Sequence, residues 1–431
     1  MKLKTYGPLL VLLVLIPLPL FSGGAGEAAE EEDGRTTVTL GYNAFLEDSF
    51  TEAPAPIDVI RQAVEREHPD IRLEYRRMSD NMLEALTIMM NSRDDSIDIF
   101  GMDGPWVPQF AQAGWAVPLN DHIETDNLSI TEAGLSSWSH EGNTLGIPFW
   151  GSVTGLYYRS DILAEYGFEP PQSPEDIVTI VETVREDNPE IQGFVWPGAR
   201  DESLVMFYAT LLHAFGGTYT DSDGNFAFDS AESVAAVEFI RRTIDDGISP
   251  RSVQNLERSE SRQQFVNGNA IFSWDNQDIV TWLDDPEQSQ IPDAWGLIPF
   301  PATENGESVS IAGGFAFSAN PFGNSVDEAI RVLEVIAGEG VQKGFAQAWG
   351  PVQYYDGLYQ QAEVLELNPN VDRIEALIET AISRPPSVNY AELSGMMQEE
   401  LNAAVTGARS VEAALNNLSR RAAGLGAMVG D

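Results

Sequence analysis

The stretch "GIPFWGSVTGLYYRSDIL", Gly146–Leu163, sets Trp150, Tyr157 and Tyr158 among glycines, with no histidine or cysteine nearby. Its composition reads as a strand, and successive side chains of a strand point to opposite faces. At most one of Tyr157 and Tyr158 can therefore face a ligand, while the other belongs to a core. Flat rings at a glycine-rich strand, without a nucleophile or a metal ligand, point to binding by stacking.

Upstream, "TTVTLGYNAF" from Thr36 alternates as a strand, and a helix follows from about Ala55 through "IDVIRQAVEREHPD". Next come a strand in "IRLEYRRM", a helix in "SDNMLEALTIMMNS" and a buried strand in "SIDIFGMD". This β-α-β-α-β rhythm predicts a parallel sheet in a three-layer α/β arrangement. Downstream of Ile162 the grammar repeats with different sequence. "SPEDIVTIVETVREDNP" is a helix with Ser173 as N-cap and Pro174 in its first turn. "ESLVMFYATLLHAFGG" is another, stopped by Gly216 and Gly217. "TDSDGNFAFDS" lacks the Glu that closes a calcium loop, so Asp223-Gly224 reads as a hairpin turn. "NAIFSW" is a strand ending at Trp274, and "WGLIPFPATENGESVSIAGGFAFSANP" holds two strands around an Asn305-Gly306 turn.

A chain of 431 residues exceeds what one core holds, roughly 250 residues, so two lobes are expected. No repeat or long linker separates them, and their boundary is expected to run through strand crossings. The N-terminus joins Lys2 and Lys4 to an apolar run, Leu9 to Phe21, broken by Pro17 and Pro19. That is the pattern of a cleavable secretory signal over residues 1–26, too short and too proline-rich for a spanning helix. An acidic tether, 27–35, follows. The chain has no cysteine, which excludes disulfides, thiolate metal sites and a lipoprotein attachment cysteine. The net charge is −43, and losing Lys2 and Lys4 with the leader makes it more negative still. Such a surface repels nucleic acid and anionic lipid and reads as a solvated coat suited to high salt.

Catalytic signatures are missing: there is no G-x-S-x-G, H-E-x-x-H or Walker-type loop, and His68, His122, His140 and His213 are scattered. What recurs is an aromatic beside a carboxylate or amide at a strand end or turn. Asp103 precedes Trp106, Trp150 precedes Ser152, Trp196 precedes "RDES", Trp274 precedes Asp275 and Asn276, Phe315 follows Gly313-Gly314, and Tyr390 follows "RPPSVN". A sugar offers apolar C–H faces and a rim of hydroxyls, and such pairs match both.

These residues carry a resemblance. Taken in order, "DIFGMDGPWVPQFAQAGWAVPL", "GIPFWGSVTGLYYRSDIL", "FVNGNAIFSWDN", "WGLIPFPA" with "AGGFAFSANP" behind it, and "RPPSVNYAELSGMMQEELNAAVTG" resemble the family-1 extracellular solute-binding proteins of ATP-binding-cassette (ABC) importers. That group contains the maltose- and trehalose/maltose-binding proteins. The resemblance implies two three-layer α/β/α lobes of the type II periplasmic-binding-protein kind, closing like a hinge on a sugar. It implies an N-lobe of 36–150 plus 314–355 and a C-lobe of 155–310 plus 360–431, with crossings near 151–154, 311–313 and 356–359. Carried over by motif, the ligand-binding residues are Asp103, Trp106, Trp150, Ser152, Glu202, Trp274, Asp275, Gly314, Phe315 and Tyr390. Phe315 stands where many relatives have Trp, Ser152 where many have a carboxylate, and "RDES" replaces a Glu-Gly pair. The resemblance thus implies a class of ligand and not a particular sugar. It further implies an exported, monomeric binding component with no cofactor and no metal, handing a neutral mono- or oligosaccharide to membrane permease subunits.

Two other readings compete with this one. A secreted glycoside hydrolase would need a carboxylate pair, such as Asp103 and Glu202, fixed at ~5 or ~6.5–9.5 Å across the bond. The resemblance places these two on opposing mobile lobes. A metal-binding version would use the phenols of Tyr157, Tyr158, Tyr354 and Tyr355, half of which strand alternation removes. Anionic ligands are disfavoured, because cations near the motifs are limited to Arg159, Arg200 and Arg384. Trp274, at the expected strand exit, is the expected stacking platform of the C-lobe, lining an open cleft.

Overall fold

The computed structural model describes residues 34–425 apart from Phe50, Asp80, 124–129, 351–353, 356, 368–369 and Pro386. The expected leader and nearly all of the tether lie outside the described residues, as does 356 in the third expected crossing. Strands β1 (Thr36–Tyr42), β2 (Ile71–Arg77) and β3 (Ile99–Asp103) are joined by helices Pro56–Glu67 and Met82–Ser92. β1 pairs in parallel with β2 on one side and β3 on the other, as the alternating pattern predicts. A small hairpin, β4 (Ser139–His140) with β5 (Asn143–Thr144), precedes β6 (Ile147–Tyr158). Then come β7 (Gln192–Val195), β8 (Ala270–Asn276), β9 (Gly296–Ile298), β10 (Ser310–Ala319) and β11 (Ala381–Ser383). The main path runs β2-β1-β3-β10-β6-β8-β7, with β11 added to β10 and β9 to β6.

The opening stretch is β6, and its length explains its glycines and its burial. Residues 147–153 pair with β10, whereas residues 154–158 pair with β8. One strand therefore serves two sheets. It is buried along nearly all of its length, the near-continuous apolar pattern of a strand covered on both faces. The change of partner is stitched by side chains. Gln277 accepts from the Val153 N–H at 2.8 Å and donates to the Gly151 carbonyl at 3.2 Å. Thr154 Oγ1 accepts from the Ile311 N–H at 2.9 Å.

Packing divides at the same place. One apolar cluster draws on residues between Val38 and Trp150 and between Ala316 and Val364, with Leu40, Phe100, Phe149 and Phe317 at its centre. The other draws on residues between Val153 and Ile311 and between Ile374 and Ala422, with Tyr157, Phe194, Phe207 and Trp274 inside it. Tyr390 is the exception, packing into the first cluster from a helix, Tyr390–Val405, whose Leu393, Met397 and Leu401 belong to the second. Two cores meet along β6 and β10.

The caps read from the sequence recur. Ser173 Oγ accepts from the Asp176 N–H at 3.3 Å while Asp176 accepts from the Ser173 N–H at 2.9 Å, a reciprocal capping box. The Asp223-Gly224 turn also forms, with Gly224 at φ +82° and Thr220 bridged to Phe226. Two expectations fail. β9 and β10 do not pair with each other across Asn305-Gly306, since β9 lies on β6, and β10 lies between β3 and β6. Residues 305–307 instead pack on a helix end, where the Glu307 N–H donates to the His213 carbonyl at 3.0 Å. And β8 does not end at Trp274 but continues through Asn276.

Lys343 is the one lysine beyond the leader, against 67 acidic residues in the chain. Self-repulsion of such a coat falls as the Debye length shrinks from about 10 Å at 0.1 M salt to about 3 Å at 1 M. The thermal midpoint is expected to rise by several degrees between 0.1 and 2 M KCl. A midpoint that stays level or falls across that range would reject this.

Candidate functional site

β3 delivers Asp103 to its carboxyl end, the place where ligands collect in α/β sheets. Glu202 arrives from the other core, as the first residue of helix Glu202–Ala214, which Asp201 caps by accepting from the Ser203 N–H at 2.7 Å. Between them lies Arg384, set there by the short β11, which pairs with residues 310–312 of β10. Arg384 Nη2 donates to both oxygens of Asp103, at 2.7 and 2.8 Å, and Nη1 donates to Glu202 Oε1 at 2.8 Å. Tyr390 Oη also donates to Glu202 Oε1, and Ser394 Oγ to Oε2. Gln398 Nε2 donates to Ser394 at 2.9 Å. Residues 390, 394 and 398 line one face of their helix at the i, i+4 spacing that stacks side chains above one another.

Burial alone would loosen the Arg384 guanidinium's hold on its proton, but the charges of Asp103 and Glu202 outweigh it and keep the group a fixed cation. Burial, and then the Glu202 charge, push the Tyr390 phenol well above its ordinary range, so it remains a neutral donor. Burial and the charge of Asp103 push Tyr354 up to about 12.

Beside this network stands a group of aromatic rings centred on Phe315, which pairs with Asp103 across the β3–β10 ladder. The Phe315 ring lies 6.1 Å from Trp106, 6.0 Å from Trp150 and 5.6 Å from Tyr42. The register of β10 against β6 shifts between Phe315 and Ala316, an irregularity of the β-bulge kind. Phe45 meets Trp150 edge-on at 5.2 Å, and Tyr354 meets Trp138 at 5.3 Å while its hydroxyl donates to the Gly313 carbonyl at 3.4 Å. Ser152 is buried against Gly313, where a Cβ would sit 2.7 Å from its hydroxyl. Gly314 has φ +149°, and a Cβ there would lie 2.5 Å from the Trp150 carbonyl oxygen. Gly314→Ala is therefore expected to cost about 1–3 kcal/mol through backbone strain and displacement of Trp150. A denaturant melt with an unchanged midpoint would count against it.

Of the residues expected from sequence, Asp103, Glu202 and Tyr390 share one cation, Trp106, Trp150 and Phe315 form one ring group that joins Asp103 through the Phe315 register, and Ser152 and Gly314 lie in the adjoining β6–β10 ladder. Two expectations are corrected. Trp274 is fully buried, 5.0 Å from Phe207 in the second core, and so does not line an open cleft. Asp275 is no free acceptor, because Arg262 grips both its oxygens at 2.9 Å. Tyr157 is the core member of its pair, its hydroxyl donating to the Asn276 carbonyl at 2.9 Å. Tyr158 stays half-buried against Gly296. Arg384 is absent from the site expected from sequence, where it figures only as one of three cations near the motifs. The available signal was an arginine at the head of "RPPSVNY" in a chain rich in carboxylates, since a buried cation must be paired.

The sequence matches the model of the bacterial extracellular solute-binding proteins over residues 47–343, well over half of the chain. It belongs to that family. A probable ABC transporter-binding protein of Deinococcus radiodurans is 23% identical to this solute-binding protein over 330 residues, 73% of this chain and 76% of the relative. A mannitol-binding protein of Pseudomonas aeruginosa is 24% identical over 260 residues, 58% of each chain. Among solved structures, maltose-bound MalE3 of T. maritima superposes with TM-score 0.80 at 24% identity, covering 90% of this chain and 98% of its own. A ribitol-bound solute-binding protein of Agrobacterium radiobacter gives 0.79 at 19%, covering 91% and 99%. The fold is thus the two-lobed α/β architecture of type II periplasmic binding proteins, joined by crossing strands. Among the described residues, no helix is long and apolar enough to cross a membrane.

Proposed function

We propose that this solute-binding protein is the extracytoplasmic substrate-binding component of an ABC importer, capturing a neutral mono- or oligosaccharide between its lobes. The observation that carries the reading is the conjunction of the Trp106–Phe315–Trp150 rings with the Asp103–Arg384–Glu202–Tyr390 network at the crossing of two cores. Rings take the apolar faces of a sugar and the network takes its hydroxyl rim. Trp150 Nε1 and Arg384 Nε are buried there with no partner among the described residues. Buried donors are nearly always satisfied in native proteins, and a sugar oxygen would satisfy these. Neutrality follows from charge: Arg384 is matched by two carboxylates, so the network repels a further anion.

Relatives named for maltotriose, mannitol and arabinooligosaccharide binding support the ligand class. In this reading the leader directs export, the lobes comprise 36–150 with 314–355 and 155–310 with 360–431, and the monomer delivers its sugar to permease subunits. The sugar leaves unaltered. Asp103 and Glu202 both serve one arginine, so neither is free to act as the acid or base of a hydrolase.

Calorimetric titration with glucose, mannitol, maltose and maltotriose tests this, alongside chromatography of the sugar after long incubation. At least one is expected to bind with Kd of about 1 μM or tighter, near −8 kcal/mol, and to be recovered intact. Silence across that panel, or hydrolysis above background that Glu202→Gln abolishes, would refute the reading.

A further inference from the structure

A second arginine flanks the Arg384 network. Arg258, half-buried, opens helix Arg258–Val266. Its Nε donates to Ser203 Oγ at 3.2 Å and its Nη2 to Met206 Sδ at 3.4 Å, both on the helix that begins with Glu202. Glu202 and Met206 stand at i and i+4 and so share one face of that helix. Met206 leads back to the network: a Cβ on Gly313 would lie 3.8 Å from the Met206 methyl and 3.8 Å from Arg384 Nη2. The Arg258 guanidinium is thus held beside the site, with the Met206 thioether between it and Arg384.

Its charge is balanced from a distance, yet its donors are not spent. Arg262 sets one positive charge against the two carboxylates of Asp275 and Asp278, leaving one negative charge that Arg258 offsets. Burial works most against the Arg258 charge; Asp275 then supports it, Arg262 opposes it, and Asp278 and Asp201 support it. Among the described residues no carboxylate pairs with Arg258, its Nη1 has no hydrogen-bond partner, and its Nη2 has only a thioether, a weak acceptor. An open guanidinium fork whose charge is already matched suits uncharged oxygens, because a ligand carboxylate there would leave negative charge in excess. We propose that Arg258 is a further ligand-binding residue, donating from Nη1 and Nη2 to hydroxyl oxygens of the bound sugar beside the Arg384 network. The inference rests on the sugar-binding reading above and adds to it a contact on the wall of the second core.

A purely structural arginine would clip the two helices together and make no distinction among sugar hydroxyls, so the test reads individual hydroxyls. Calorimetry compares the native protein with Arg258→Met, using the tightest binder among glucose, mannitol, maltose and maltotriose together with its monodeoxy analogues. Arg258→Met is expected to weaken the parent sugar about tenfold or more, the scale of a hydrogen bond from a charged donor. At least one deoxy analogue is expected to bind the native protein correspondingly weakly and to lose nothing further in Arg258→Met, the non-additivity of a direct contact. The derivative with a primary alcohol oxidised to a carboxylate is expected to bind the native protein more weakly than the parent. Unchanged affinity in Arg258→Met, deoxy losses that all simply add to it, or tighter binding of the carboxylate derivative would each overturn the assignment. Should Arg258→Met fail to fold, Arg258→Lys, which keeps the charge and lacks the fork, carries the same comparison. Native protein that binds none of the four sugars removes the sugar-binding reading and this inference with it, whereas native binding that ignores Arg258 removes this inference alone.

Discussion

Trp274→Ala is expected to destabilise the protein by about 3–5 kcal/mol, the cost of emptying a large aromatic site in a packed core. The ring is wholly buried, tilted 45° against Phe207 at 5.0 Å, with the Arg258 guanidinium 5.9 Å from its centroid. Its strand is a central one, flanked by β6 and β7, so the surroundings cannot easily collapse into the space. Trp274→Phe should cost much less. It keeps a flat ring and deletes the indole N–H, which is buried with no partner among the described residues. Urea unfolding of both variants, with maltose titration alongside, separates the possibilities. If Trp274→Ala unfolds like the native protein but binds sugar far more weakly, the ring lines the cleft after all and its assignment to the core is wrong.

The case of Trp274 marks where local pattern stops being informative. Strands β1 to β3 and their helices were legible because each obeys a single period, apolar alternation for the strands and a 3.6-residue stripe for the helices. The strand holding Trp274 was legible too, but its end was not. Asp275 and Asn276 read as loop residues because they are polar. They continue β8 because Arg262, on the helix just upstream, neutralises Asp275, and because β6, far away in sequence, pairs with both residues. Asn305-Gly306 gave a sound turn signal, yet the strands on either side found β6 and β3 more favourable than each other. The site was half legible for the same reason. Aromatic rings and carboxylates announce themselves by residue type, whereas the cation joining Asp103 to Glu202 sits 281 residues beyond the first of them. Nothing in the local composition of "SRPPSVNY" says which carboxylates it will meet.

Arg262→Met is expected to cost at least as much as losing the partner of one buried ion pair, about 3–5 kcal/mol, because it strands two carboxylates at once. Arg262 donates from Nε and Nη2 to the two oxygens of Asp275 at 2.9 Å, and from Nη1 and Nη2 to those of Asp278 at 2.9 and 3.0 Å. The Asp275 side chain is 1% exposed and the Asp278 side chain 9%, so water cannot replace the lost donors without local opening. The guanidinium also lies 5.1 Å from the Trp282 ring, and a methionine would preserve much of that packing. The loss is therefore electrostatic, and Asp275→Asn with Asp278→Asn in the Arg262→Met background should recover part of it. A double-mutant cycle by urea unfolding measures the coupling. Arg262→Met within about 1 kcal/mol of native would show that these carboxylates tolerate isolation. The effect should also reach the site. Asp275 and Asp278 flank Gln277, whose amide holds Val153 and Gly151 where β6 passes from one lobe to the other. Loosening their anchor frees the crossing that positions Trp150 and Ser152, so sugar affinity should fall even at temperatures where the variant remains folded.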